Sequence, residues 1–172
     1  MKRRTLLQFA TLFTLLAPLR GLTAEPSGVA AKPSFTPLRK KHAEWRGVLS
    51  EAQYAVLFEE DTERPFSSAL NDEKRPGQFL CAACYLPLFD ADKKYDSGTG
   101  WPSFWAPIEG RVATRRDFKL ILPRTEYHCA RCGGHQGHVF DDGPAPTGLR
   151  YCNNGVALRF VPRGEPLPAL RS

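Results

Sequence analysis

Two C-x-x-C pairs, Cys81-Ala82-Ala83-Cys84 and Cys129-Ala130-Arg131-Cys132, constrain what this chain can fold into more than any other feature. Each pair closes an apolar run, and Gly133-Gly134 follows the second. Brought together, two such knuckles set four thiolates in a tetrahedron around zinc, with Zn–S distances of about 2.3 Å; four sulfurs leave no open position, so the site would be structural. The 44 residues from Tyr85 to His128 that separate the pairs exceed the roughly 15 to 20 of a simple zinc ribbon. An insertion with its own task therefore lies between them. Spacing alone leaves three alternatives open: a disulfide within each pair, thioredoxin-like redox use of one pair, or a local metal site from Cys129, Cys132, His135 and His138.

The fifth cysteine, Cys152, has no sequence partner. It stands at the end of an expected strand, just before Asn153-Asn154-Gly155. Asn-Gly between two apolar runs signals a tight hairpin, so one reading makes Cys152 a small buried hydrophobe beside a turn. A reactive role needs a group that stabilises the thiolate and a pocket that holds a substrate. His135 and His138 are candidates for the first, since an imidazolium near a thiol lowers its pKa. "GTGWPSFW" supplies Trp101, Phe104 and Trp105, either as core filling or as an aromatic box.

The formal charge of +6 raises the question of a nucleic-acid or membrane partner. Lys2, Arg3, Arg4 and Arg20 all precede Ala24; setting them aside leaves 20 basic residues against 18 acids. The basic bias belongs mostly to the first 24 residues, and a phosphate-binding surface is not expected in the remainder. Those first residues combine a basic start, an apolar run from Leu6 to Leu19 and a small residue at Ala24. This is the form of a cleavable export signal, short for a membrane span, and Arg3-Arg4 resembles a twin-arginine signal. The expectation is an exported, periplasmic protein with no stable membrane span after processing.

Residues 25–41 mix proline, alanine and lysine without apolar period and read as a flexible linker. A single domain is expected over 42–163 and a fraying tail over 164–172. Ser50-Glu51-Ala52-Gln53 has the form of a capping box, with Tyr54, Leu57 and Phe58 following at helical spacing, so a short helix is predicted before Pro65. Beyond it, short apolar runs broken by glycine, proline and asparagine predict a mainly β domain of antiparallel strands.

Taken together, "TERPF", "FLCAACYLPLF", "KYDSGTGWPSF" and "YHCARCGGHQGHVFDDGPAPTGLRYCNNGVALRF" resemble the zinc-containing peptide-methionine (R)-S-oxide reductases over about residues 43 to 161. The resemblance implies a β-tent of two antiparallel sheets with a zinc knuckle pair and a short N-terminal helix. It implies structural Zn2+ on Cys81, Cys84, Cys129 and Cys132, and Cys152 as the nucleophile. It also implies catalytic roles for His135, His138 and Asn154, and a substrate pocket that includes Trp101 and Phe104. Oxidised proteins or peptides would be the substrates.

Many members of that family carry a second redox cysteine where this chain has Thr99. With four cysteines committed to metal, a Cys152 sulfenic acid would have no internal thiol to condense with. An external thioredoxin-like domain or a small thiol would then regenerate it. Two further readings compete: a zinc-ribbon binding module with Cys152 a bystander, and a thiol-disulfide oxidoreductase working through Cys81 and Cys84.

Overall fold

The computed structural model describes residues 35–118 and 123–172. The expected export signal, most of the expected linker and the middle of the "FKLILP" run lie outside the described residues.

Ser50 caps the helix as its sequence predicts. Helix α1 spans Glu51–Glu59; the Ser50 hydroxyl accepts from the Gln53 amide while the Gln53 side chain accepts from the Ser50 amide, satisfying two donors the helix cannot use internally. Glu60, in the left-handed conformation, ends it. Tyr54, Val56 and Leu57 are buried on the core side.

Among the described residues nine strands follow, and every pairing among them is antiparallel. They are β1 (Gly77–Cys81), β2 (Pro87–Asp90), β3 (Lys94–Tyr95), β4 (Ser103–Phe104), β5 (Val112–Asp117), β6 (Arg124–Cys129), β7 (His135–Phe140), β8 (Arg150–Asn153) and β9 (Leu158–Pro162). They form a three-stranded sheet in the order β2-β1-β9 and a six-stranded sheet in the order β3-β4-β8-β7-β6-β5. The mainly β, two-sheet expectation holds. Between the sheets lies an aromatic core in which Phe104 stacks on Phe89 at 4.2 Å and meets Phe79 at 5.0 Å, with Tyr127 edge-on to Phe89.

Each C-x-x-C pair forms the turn of a hairpin, β1–β2 in one case and β6–β7 in the other, and the two turns repeat one geometry. The amide after the second cysteine bonds back to the first cysteine's carbonyl: Tyr85 to Cys81 and Gly133 to Cys129, both at 2.9 Å. The first cysteine's amide reaches Leu86 in one knuckle and Gly134 in the other, again at 2.9 Å. The residue after the second cysteine is left-handed in both, with φ 62° at Tyr85 and 75° at Gly133. Glycine adopts that conformation freely, whereas a tyrosine there is strained. Tyr85 is held by guanidinium groups that lie over its ring, Arg171 at 4.1 Å and Arg159 at 5.0 Å.

The knuckles are also held from outside. In the tail over 164–172 the Arg171 amide donates to the Cys84 carbonyl at 3.1 Å and its guanidinium reaches the Ala83 carbonyl at 3.2 Å. The end of the linker is also docked. Phe35 and Leu38 pack on the core, and the Leu38 amide donates to the Arg131 carbonyl at 2.7 Å. In both places the knuckles present carbonyls that need donors, and the chain ends supply them.

Asn153-Asn154-Gly155 does not turn a hairpin. Strand β8 belongs to the large sheet and β9 to the small one, and a 3-10 turn over Gly155–Ala157 carries the chain between them.

Candidate active site and metal centre

The hairpin turns bring all four knuckle sulfurs within 4.8 Å of one another, every one buried. Sγ of Cys81 lies 3.6 Å from Sγ of Cys132, and Sγ of Cys84 lies 3.5 Å from Sγ of Cys129. A disulfide requires about 2.05 Å, whereas a tetrahedron with 2.3 Å metal–sulfur bonds has edges of about 3.8 Å. All four are free thiols, so neither pair is a disulfide in this arrangement. Hydrogen bonds from its neighbours, Cys129 first, hold Cys84 far below the ordinary thiol range; Cys81 and Cys132 are pushed up by their own hydrogen bonds, Cys129's first, and by burial. One thiolate forms easily and the next are resisted, a conflict that a divalent cation at the centre would relieve. The donor set therefore fits zinc. Burial also removes Cys81 and Cys84 from any partner thiol, against the oxidoreductase reading that relies on them.

The local Cys-Cys-His-His alternative fails on the histidines. Nδ1 of His135 meets the buried Glu126 carboxylate at 2.7 Å, and Nε2 of His138 meets the Asp117 carboxylate at 2.8 Å.

Cys152 sits elsewhere, in a single rung that crosses the whole large sheet. Strand register aligns Tyr95, Ser103, Cys152, His138, Glu126 and Arg115 in successive strands β3, β4, β8, β7, β6 and β5. Directly paired residues share a face, so the rung sets a hydroxyl on one side of the thiol and an imidazole on the other. A pocket of about 120 Å³ opens over it, lined by Cys152, Trp101, His138, Asn154, Thr62 and Arg124 among others. Cys152, Trp101, His138 and Asn154, expected at one site, thus converge.

Two expected residues stand apart from that lining. His135 is 3% exposed and lies behind His138, ring centres 5.4 Å apart, fixed by Glu126. Phe104 is fully buried against Phe79 and Phe89, a correction to its expected place in the pocket. In "SFW" the strand β4 alternates, and Phe104 takes the core face while Ser103 takes the face of Cys152.

Electrostatics divide the labour. Burial pushes the Cys152 thiol above its ordinary value, offset in part by the Arg150 charge and by hydrogen bonds from Thr99 and Arg150. Arg150 is itself held by a two-pronged pair with Asp142, both contacts 2.8 Å. Burial lowers the His138 pKa against the pull of Asp117, which leaves a neutral imidazole at pH 7 and a stronger acid once protonated. Burial also opposes ionisation of Glu126, but His128 and His135 outweigh it and hold that carboxyl at about 2.

Several functional residues escape sequence reasoning. Arg150 had a signal, since residues two apart in a strand share a face. Arg124 and Asp117 pair with one another at 2.7 Å beside His138, and nothing local in the sequence marks them. Thr62 and Glu63 arrive from a segment about 90 positions before Asn154.

Comparison with known proteins follows the same residues. The SelR domain profile matches residues 49–162. The peptide methionine sulfoxide reductase MsrB of Pseudomonas putida strain GB-1 is 54% identical over 127 residues, 73% of this chain and 97% of its own length. The MsrB of Pseudomonas savastanoi pv. phaseolicola is 52% identical over 73% of this chain and 97% of its own length. That of Bradyrhizobium diazoefficiens is 52% identical over 72% and 90% respectively.

Proposed function

This chain belongs to the SelR-domain family of peptide methionine sulfoxide reductases, and on that premise we propose how its residues reduce methionine (R)-sulfoxide in proteins or peptides. The observation that carries the reading is that Cys152, alone among the five cysteines, lies outside the four-sulfur cluster and opens into the pocket with Trp101, His138 and Asn154.

A sulfoxide sulfur accepts a nucleophile only when its oxygen is protonated or strongly hydrogen-bonded. Cys152, as thiolate, attacks that sulfur. His138, which lines the pocket and whose burial makes its protonated form the stronger acid, delivers the proton to the oxygen. Trp101 gives the substrate methyl group an aromatic face, and Asn154, bonded to Gln136 and Glu63, holds the pocket network in register. In the adduct so formed the hydroxyl passes from the substrate sulfur to the Cys152 sulfur as the bond between the two sulfurs breaks; the sulfoxide, gaining two electrons, leaves as methionine, and Cys152 is left as a sulfenic acid. His135, anchored to Glu126, packs against His138 and keeps it in place.

Thr99 supplies no thiol for the return step. An external thiol attacks the sulfenic sulfur, releasing water and forming a mixed disulfide, and a second thiol frees Cys152. Zinc, held by Cys81, Cys84, Cys129 and Cys132, would supply folding energy and tie the two hairpins together. Residues 1–24 act as an export signal, which places the reaction in the periplasm with a thioredoxin-like domain or a small thiol as donor. Among the described residues no helix is long and apolar enough to cross a membrane.

An assay of both sulfoxide epimers with a dithiol donor tests the proposal. The R epimer should be consumed and the S epimer left. Consumption of neither, or of S alone, would overturn it.

A further inference from the structure

Asn154 and Trp101 form two walls of the Cys152 pocket, yet neither lies within the strands that carry the thiol and the imidazole. Trp101 lies in the loop before β4, and Asn154 lies just past the end of β8. Both are fastened by one residue from far away in the sequence, Glu63. Its carbonyl accepts from the Trp101 indole at 3.1 Å, and its amide donates to the Asn154 side-chain oxygen at 3.1 Å. Its carboxylate accepts from the amides of Gly155 at 2.5 Å and Val156 at 2.9 Å.

The last pair explains the missing hairpin. The 3-10 turn over Gly155–Ala157 begins with amides that have no partner within the turn. Asn154 stands at its cap, but its side chain does not cap it, being committed to the Gln136 carbonyl at 3.1 Å and the Glu63 amide. A carboxylate from another segment takes over, and negative charge at such a terminus is favourable. Room for it depends on Gly155: a Cβ there would lie 1.9 Å from the Ser68 hydroxyl and 3.3 Å from the Glu63 carboxylate.

We infer that Glu63 is the positioning residue of the substrate pocket, setting Trp101 and Asn154 at the separation that grips a methyl sulfoxide while leaving the Cys152 thiol unaffected. The inference rests on the reductase reading and adds to it the residue that shapes the grip. Its carboxylate anchors the turn that follows Asn154 while its backbone contacts Trp101 and Asn154, so one residue ties the two walls together.

Glu63→Gln keeps the size and removes the charge. The amide can accept from one of the two turn amides, but its own NH2 then opposes the other. KM for a methionine (R)-sulfoxide peptide should rise about tenfold with kcat changed less than about threefold, because both walls bind ground state and transition state alike. Alkylation of Cys152 by iodoacetamide, and its pH profile, should stay within about twofold of the parent, as no group touching the sulfur changes. Amide exchange at Gly155 and Val156 should quicken. If Glu63→Gln does not fold, Glu63→Asp, which keeps the charge and loses reach, carries the same measurements. An unchanged KM overturns the inference, and so does a parallel fall in kcat, KM-normalised rate and Cys152 alkylation, which would mark a general structural prop. The parent protein in the same assay separates this failure from that of the reductase reading, which fails only if the parent is itself inactive.

Discussion

The four knuckle thiols and the Cys152 thiol differ less in depth than in company. Sulfur surrounds sulfur at the knuckles: each thiol has three more within 4.8 Å, the Gln136 amide donates to Cys81, and Arg131 and Arg171 donate to the Cys84 and Ala83 carbonyls of the first turn. Around Cys152 the neighbours are a charge, hydroxyls, an imidazole and an open pocket. The first arrangement calls for a cation and then has no way out; the second resists ionisation until a substrate and a proton donor share the space. One small domain thus holds five cysteines in two chemistries, separated by which face and which hairpin carries them.

The largest effect that would break this contrast is on Cys152 itself. Cys152→Ser should abolish reduction of the R epimer while metal content and melting temperature stay those of the parent, because the change touches neither hairpin turn. Cys81→Ser or Cys129→Ser should do the reverse first: loss of metal, and destabilisation on the order of several kcal/mol, read by metal analysis and thermal melting. A metal-free variant that melts like the parent would erase the distinction.

Much of this was legible in advance, and the parts that were not share a cause. The helix could be read from Ser50 to Gln53 because capping is local. The knuckles could be read because each is a four-residue unit, and Cys152 stood out by arithmetic. Asn154-Gly155 misled because a hairpin signal is local, while the amides of Gly155 and Val156 are claimed by Glu63 from another segment. Phe104 misled because a two-residue strand carries too little alternation to tell its faces apart. The docked tail was invisible for a similar reason: Arg171 is one charged residue in a proline-rich run until Cys84, far earlier in the chain, presents its carbonyl.

Smaller effects sharpen the contrast. Since burial raises the Cys152 pKa, thiolate is the minor form at pH 7, and its alkylation should climb about tenfold per pH unit until the pH passes that pKa. Arg150→Met removes the positive charge that offsets burial at Cys152, raises the pKa further and should slow alkylation at pH 7 by about fivefold, with metal retention unchanged. On the other side, Arg171→Ala should speed metal loss to a chelator by about threefold to tenfold, because it strips donors from the Ala82 and Ala83 carbonyls. It should leave Cys152 alkylation alone. Thr99→Val removes one hydrogen bond to the sulfur and should slow alkylation by about twofold, the smallest change of the set.

The claim that one thiol reacts because the other four are closed around a metal is tested most directly by a single turnover. Metal-loaded protein would receive one equivalent of methionine (R)-sulfoxide peptide, without added thiol and with dimedone present, followed by peptide mapping and metal analysis. The account predicts about one methionine per chain, a dimedone adduct confined to Cys152, and full retention of metal. A disulfide joining Cys152 to any knuckle cysteine, with metal released, would contradict it.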